Sequence, residues 1–255
     1  MKITKIKILK NSVSVYFDDE KLELDKEVYP NFYLYVGKEV SKKEYKKIKE
    51  YNDISSLLKY ALKIRSKAIY SEYQMREKLY AKGGNKEEID QVINKLKGYD
   101  LIDDNAFIED HIEYYNSLNY GKNKILNKLS EKGIFEERLE KINFPISIER
   151  KKAKAIFDKL DKKHSKYNFV RKKQHIYNSY ISLGFSKEIA NEMVPTLKDD
   201  NNKEEKKKLE KDFEKIKTRY SNKYQKKELK QKILQALLQK GYRMNDILPI
   251  IERMK

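Results

Sequence analysis

Through the first forty residues apolar side chains alternate with polar ones: Ile6 and Ile8, Val13, Val15 and Phe17, Leu22 and Leu24, then Phe32, Leu34 and Val36. A period of two puts every second side chain on one face of a strand. The pattern predicts a small antiparallel sheet of three or four strands, with Asp18, Asp19, Glu20 and Lys21 as a turn. Ser41 followed by Glu44 is a helix start, the serine oxygen taking an orphan N–H, and the helix runs towards Tyr51. A sheet this small needs cover on its apolar face, and that helix is expected to supply it.

Beyond Tyr51 the period becomes helical, and one segment recurs four times, centred on Gly83, Gly133, Gly184 and Gly241. Four residues before each glycine stand Leu79, Leu129, Tyr180 and Leu237, and eight before stand Met75, Ile125, Ile176 and Ile233. That is an i, i+4 apolar stripe ending at a residue free to take positive φ and close a helix. Lys82, Lys132 and Lys240 put a cation in the last turn of three of these helices.

A helix with its own stripe follows each glycine: Ile89, Ile93 and Leu96; Leu139 and Ile142; Ile189, Met193 and Leu197; Ile247, Ile250, Ile251 and Met254. Another precedes each unit, as in Leu57, Leu58 and Ala61, or Phe107, Ile108 and Ile112, or Ala153, Ile156 and Phe157, or Leu209, Phe213 and Ile216. Each unit is therefore three helices. Helix starts are further marked by Ser71 with Gln74, Asn85 with Glu88, Asp104 before Phe107, and Ser186 before Ile189. Glycine spacings of 50, 51 and 57 place an insertion in the last unit, at the polar run Asp199 to Glu205, which reads as a linker.

The predicted fold is mainly α, a tandem array of helix-turn-helix-like units after a small antiparallel β segment. Its map is a β-rich segment at 1–40, a connecting helix at 41–52, and three-helix repeats at 53–102, 103–147, 148–200 and 201–255.

Composition changes this picture little until charge is considered. Only 39% of the 255 residues are apolar, which suits several small cores. The absence of cysteine excludes disulfides, thiol catalysis and zinc ribbons. No run of signal-peptide length opens the chain and no stretch approaches about 18 apolar residues, so the protein is expected to be soluble, cytoplasmic and without membrane contact.

The net charge of +18, from 58 basic and 40 acidic residues, is unevenly spread. Residues 98–121 hold no Lys or Arg, whereas residues 150–175 hold eleven basic side chains against Asp158 and Asp161. Such segregation favours an oriented encounter with a polyanion, most simply nucleic-acid phosphates.

No catalytic, metal or cofactor site emerges. Asp100, Asp103 and Asp104 lack the alternate spacing, glycine and distal glutamate of a calcium loop. Gly83, Gly84, Asn85 and Lys86 lack the upstream glycine of a phosphate loop. His111, His164 and His175 stand far apart with no nucleophile near them. Tyr114, Tyr115 and Tyr120, and Tyr167, Phe169, Tyr177 and Tyr180, offer faces for base stacking but fall mostly at helical spacing, where core packing is the expected role.

The run GYDLIDDNAF from Gly98 to Phe107, followed by GKNKILNKLSEKGI from Gly121 to Ile134, resembles the motif of the RecX regulatory proteins. The first unit resembles it through Ser71, Glu72, Met75, Leu79, Lys82 and Gly83, and Ile3 to Ile6 resembles the β-rich opening of longer members, so the resemblance covers essentially the whole chain. Two departures stand out. Ala68, Ile69 and Tyr70 occupy the place of family arginines, and Lys122 replaces a proline common after the glycine matched by Gly121.

The resemblance implies a non-enzymatic negative regulator of the RecA recombinase. It implies binding in the groove of the RecA filament on DNA, with suppression of ATP hydrolysis, strand exchange and filament extension. Partners are then the RecA filament and single- and double-stranded DNA, bound without sequence preference by a monomer. Candidates for DNA and filament contact are Lys122, Lys124, Lys128, Lys151, Lys152, Lys154, Arg171, Lys172, Lys173, Lys226, Lys227 and Lys230; candidates for the recombinase are Asp100, Asp103, Glu109, Asp110 and Glu113. Two other readings stay open: a tandem helix-turn-helix DNA-binding protein acting without a recombinase, and a helical scaffold whose lysines are incidental.

Overall fold

The computed structural model describes residues 1–18, 20–197 and 202–254. The start of the expected linker, at 199–201, lies outside the described residues; from Asn202 the chain is already helical. The fold is mainly helical with a small antiparallel sheet at the start. Two compact units form, one of residues 1–111 and 129–139, the other of residues 112–128 and 140 onward.

In the first unit β1 (Ile3–Ile8), β2 (Ser12–Phe17) and β3 (Glu20–Asp25) make a meander with Ile8 opposite Val13 and Val13 opposite Leu24. Val13, Val15, Phe17 and Leu24 point into one core with Ile3, Val28, Leu34, Val40 and Ile48. The possible fourth strand at Phe32 to Val36 does not form. Val28–Asn31 makes a single helical turn, α1, containing Pro30; Tyr33 at φ 47° and Gly37 at φ 96° then interrupt any pleat, and only Leu34 is buried. The strand-like contact that remains is carried by Ile3, which exchanges backbone bonds with Gly37 and Lys38.

The helix capped by Ser41, α2 (Lys42–Arg65), is 24 residues long and continues unbroken past Tyr51 because no Gly or Pro interrupts it. Ile48 closes the sheet core, while Ile54, Leu57 and Ala61 belong to the next one. That core also takes Met75 and Leu79 from α3 (Glu72–Ala81) and Ile89, Val92, Ile93 and Leu96 from α4 (Lys86–Gly98). Both α3 and α4 start with full capping boxes.

Next come α5 (Asp104–Ser117), α6 (Lys122–Ser130) and a single turn, α7 (Glu136–Leu139). The full helix expected from Leu139 and Ile142 is cut short, and both are only half-buried. Pro145 disfavours helix at the residue before it and serves as the N-cap of the next element.

In the second unit α8 (Ile146–Lys163), α9 (Phe169–Ser182), α10 (Lys187–Met193) and a 3₁₀ turn (Val194–Thr196) enclose Ala153, Leu160, Ile176, Tyr180, Ile189 and Met193. Then α11 (Asn202–Ser221), α12 (Lys226–Gln239) and α13 (Met244–Glu252) enclose Leu209, Phe213, Ile233, Leu237 and Ile247.

The four repeat glycines are left-handed, with φ between 81° and 99°. Three do more than end a helix, because successive segments are joined at them by one recurring contact. The first backbone N–H of a middle helix donates to a carboxylate on the first helix of the following segment: Glu72 to Asp104 (2.8 Å), Lys122 to Glu149 (2.9 Å) and Phe169 to Glu205 (2.8 Å). One residue earlier, a donor reaches the carbonyl just before the next glycine: Ser71 Oγ to Lys132 (2.6 Å), Gly121 N to Leu183 (2.8 Å) and Asn168 Nδ2 to Lys240 (2.6 Å). Each glycine then lies against that helix start, so an added Cβ would stand 2.2 Å from the Tyr73 ring at Gly133, 2.3 Å from Lys124 N at Gly184 and 3.1 Å from Val170 at Gly241. Asp104 was expected to cap its own helix; Asp103 does that, accepting from Asn105 and Ala106, which leaves Asp104 for the junction.

Candidate nucleic-acid and protein interface

On α8 and α9 the helical period divides the lysines into two populations. Lys152 is only 6% exposed, paired with Glu149 and donating to Asn116 Oδ1 (2.8 Å) and the Tyr120 carbonyl (2.7 Å). Lys172, 3% exposed, pairs with Asp161 at 2.7 Å. A buried cation already held by a carboxylate has no reach to a phosphate, so Lys152 and Lys172 leave the set of DNA contacts and join the structural ion pairs.

Of the others, most stay at the surface to different degrees. Lys151, Lys154 and Lys122 are exposed, while Lys124 is half-buried with Nζ 4.0 Å from the Tyr120 ring centre; Lys128 is also half-buried. Arg171 is exposed but spends one guanidinium nitrogen on the Gln239 carbonyl at 3.2 Å. Lys227 is exposed and Lys230 half-buried on α12, where Lys226 is the first helical residue.

A cleft of about 520 Å³ in the second unit gathers Phe169, Val170, Lys173, Tyr177 and Arg243. Phe169, Lys173 and Tyr177 follow at i, i+4, i+8 and so share one stripe of α9, with Lys173 Nζ 4.3 Å from the Phe169 ring centre. Aromatic faces beside cations stack on bases and hold phosphates, the combination that binds single-stranded nucleic acid with little sequence preference. Lys173 was legible as a candidate, whereas Phe169 and Tyr177 were expected mainly in core packing, and both are half-buried against the core of α8 to α10. Arg243 was not legible, since it arrives from the start of α13, and nothing local ties it to α9. Of the other aromatics named above, Tyr114 is exposed on α5, while Tyr180 and Tyr167 serve packing. Tyr180 is buried with its hydroxyl donating to the Ala153 carbonyl, and burial, followed by the charge of Asp158, pushes its pKa up to about 12. Tyr167 stacks on His175.

Among the acids, Glu109, Asp110 and Glu113 are exposed on α5, and no cation lies within ion-pair distance of them among the described residues. Asp103 is exposed but engaged as a cap, and Asp100 is exposed in a left-handed turn at φ 54° that follows α4. In the first repeat, two of the cations near the missing arginines are tied internally. Arg65 donates to the Leu101 carbonyl, and Arg76 pairs with Glu72 and Asp90. Burial pushes the Glu72 carboxyl up, but hydrogen bonds from Lys97 and Arg76 outweigh it and hold it below the usual carboxylate range. Among the described residues no group of three or more His, Asp or Glu could hold a metal, and no helix is long and apolar enough to cross a membrane.

Segments of helices joined by a recurring contact place the molecule in the class of helical repeat proteins. No protein-family model matches the chain. A regulatory protein RecX of Clostridium tetani is 36% identical over 186 residues, spanning 69% of this chain and 83% of the relative. The chain belongs to the RecX family of regulatory proteins. Its fold agrees with a crystal structure of regulatory protein RecX at TM-score 0.61 and 23% identity, over 77% of this chain and 99% of that one. A RecX structure from Lactobacillus salivarius matches at TM-score 0.52 and 26% identity, over 57% of this chain and 96% of that one.

Proposed function

We propose that this protein is a non-enzymatic negative regulator of the RecA recombinase in the cytoplasm. It binds in the groove of the RecA filament on DNA and suppresses ATP hydrolysis, strand exchange and filament extension. The observation that carries the reading is family membership over most of the chain. Two surfaces support it. The cleft of Phe169, Lys173, Tyr177 and Arg243 suits the sugar-phosphate path, and Glu109, Asp110 and Glu113 on α5 suit a basic protein surface. Repeats joined by the same contact engage several filament subunits at once, so affinity builds by multivalency.

The test is co-sedimentation with RecA filaments assembled on single-stranded DNA, compared with the same DNA alone and with bare duplex. The protein is expected to pellet with filaments at salt concentrations that release it from bare DNA. Equal retention on bare duplex and on filaments would instead favour a helix-turn-helix DNA-binding protein that needs no recombinase.

A further inference from the structure

The recurring junction has two halves. One is the start of a middle helix. The other is a receiving surface built from a left-handed glycine, the carbonyl before it and a carboxylate on the preceding helix. In the second, third and fourth segments the receiving half is filled by the segment before it. The first segment has the same half, without an occupant among the described residues.

Gly83 takes φ 99°, yet an added Cβ there would meet nothing within 4 Å. Asp53 on α2 stands 30 residues before Gly83, as Asp104 stands 29 before Gly133. It lines a cleft of about 340 Å³ with Ser56, Lys82, Gly83, Asn85 and Glu88. The Asp53 carboxylate is half-buried, and no donor reaches it among the described residues; burial first, then Glu88, raises its pKa against the pull of Lys49. The adjoining groove adds Glu50 and Glu87 against one cation, Lys47, so the acids outnumber the bases.

The giving half in the last segment is the start of α12. Gln225 is exposed and its side chain makes no cap bond. Around it the chain is net basic, with Lys223, Lys226, Lys227 and Lys230 against Glu228. Helix-start charge therefore opposes cleft charge, and Gln225 offers an amide donor where Asn168 uses one in the third segment.

We propose that the Asp53–Gly83 cleft docks the start of α12 from a second copy of this chain, joining copies head to tail through a fourth instance of the internal junction. The Lys226 backbone N–H donates to the Asp53 carboxylate, Gln225 Nε2 donates to the Lys82 carbonyl, and Lys227 lies over Gly83. Such a contact is heterologous, so copies add in series rather than closing as a symmetric pair. It is small and partly ionic, hence weak and stronger at low salt.

Sedimentation equilibrium of the full chain tests this. At low ionic strength and up to roughly 1 mM, a range suited to a small interface, the average mass is expected to rise with concentration above the 30.6 kDa of one chain. Asp53→Ala removes the acceptor and Lys227→Glu sets a carboxylate against Glu88. Each alone is expected to weaken association about tenfold or more, a change of ~1.4 kcal/mol. Ser56→Arg, which plugs the exposed mouth of the cleft and leaves Asp53 in place, is expected to match D53A. Mixing D53A with K227E restores one good junction per pair, giving dimers and nothing larger. The proposal is overturned if the wild-type chain keeps the mass of one copy throughout, or if D53A and S56R, folded by circular dichroism, associate as it does.

Discussion

Gly83 and Gly133 share a left-handed backbone but not their surroundings. At Gly83 an alanine methyl would meet only the cost of positive φ, expected at about 1 kcal/mol. At Gly133 the same methyl would also collide with the Tyr73 ring and its Cβ, near the root of the side chain where rotation gives little relief. Urea denaturation is expected to show Gly133→Ala costing clearly more than Gly83→Ala, and costing less in a Tyr73→Gly background, which lacks both the ring and its Cβ, than in the wild-type chain. Equal costs would mean that the junction contributes nothing at this point. The φ requirement was legible in the sequence, because a glycine that ends an i, i+4 stripe stands where a helix closes through the left-handed region. The partner was not, since Tyr73 stands 60 residues from Gly133.

Among the elements, stripes and capping pairs were readable because they are local: Ser71 with Gln74, Asn85 with Glu88 and Ser186 with Ile189 all stand three residues apart and all form. Glu149 and Glu205 were invisible as junction residues, being acids among many on charged helices whose partners lie 27 and 36 residues away. The lysine run of α8 and α9 misled for a related reason. A run of cations reads as one solvated face, yet a helix turns every few residues towards the core, and Lys152 and Lys172 fall on that side. Histidine supplies the pH test at this scale. His164, between α8 and α9, contacts Ser179 Oγ at 3.0 Å and stacks near His175 and Tyr167. Burial, then the charges of His175, Lys163 and Lys166, lowers its pKa below 6.5. The unfolded chain therefore binds the proton first, and stability falls as pH drops below about 6.5 and levels off under the folded pKa. Thermal melts of wild-type protein are expected to lose stability between pH 7 and 5, and His164→Gln is expected to flatten that stretch. An unchanged slope in the variant would assign the titration elsewhere.

For the whole molecule, a net charge of +18 says little until it is located. If the α9 cleft carries the nucleic acid, Lys173→Ala and Arg243→Ala are each expected to reduce the slope of log affinity against log salt for single-stranded DNA by about 0.7, one phosphate's worth of released counterions. Lys172→Ala removes a charge that is already paired and buried, so it is expected to lower stability and leave the slope alone. The central claim is regulation of a recombinase, and ATP hydrolysis by RecA on single-stranded DNA reports on it most directly. Titrated into that assay, the protein is expected to lower the steady-state rate in a saturable, dose-dependent way while hydrolysing no nucleotide itself. A rate that stays constant through stoichiometric protein, in salt where the chain still binds DNA, would contradict the account.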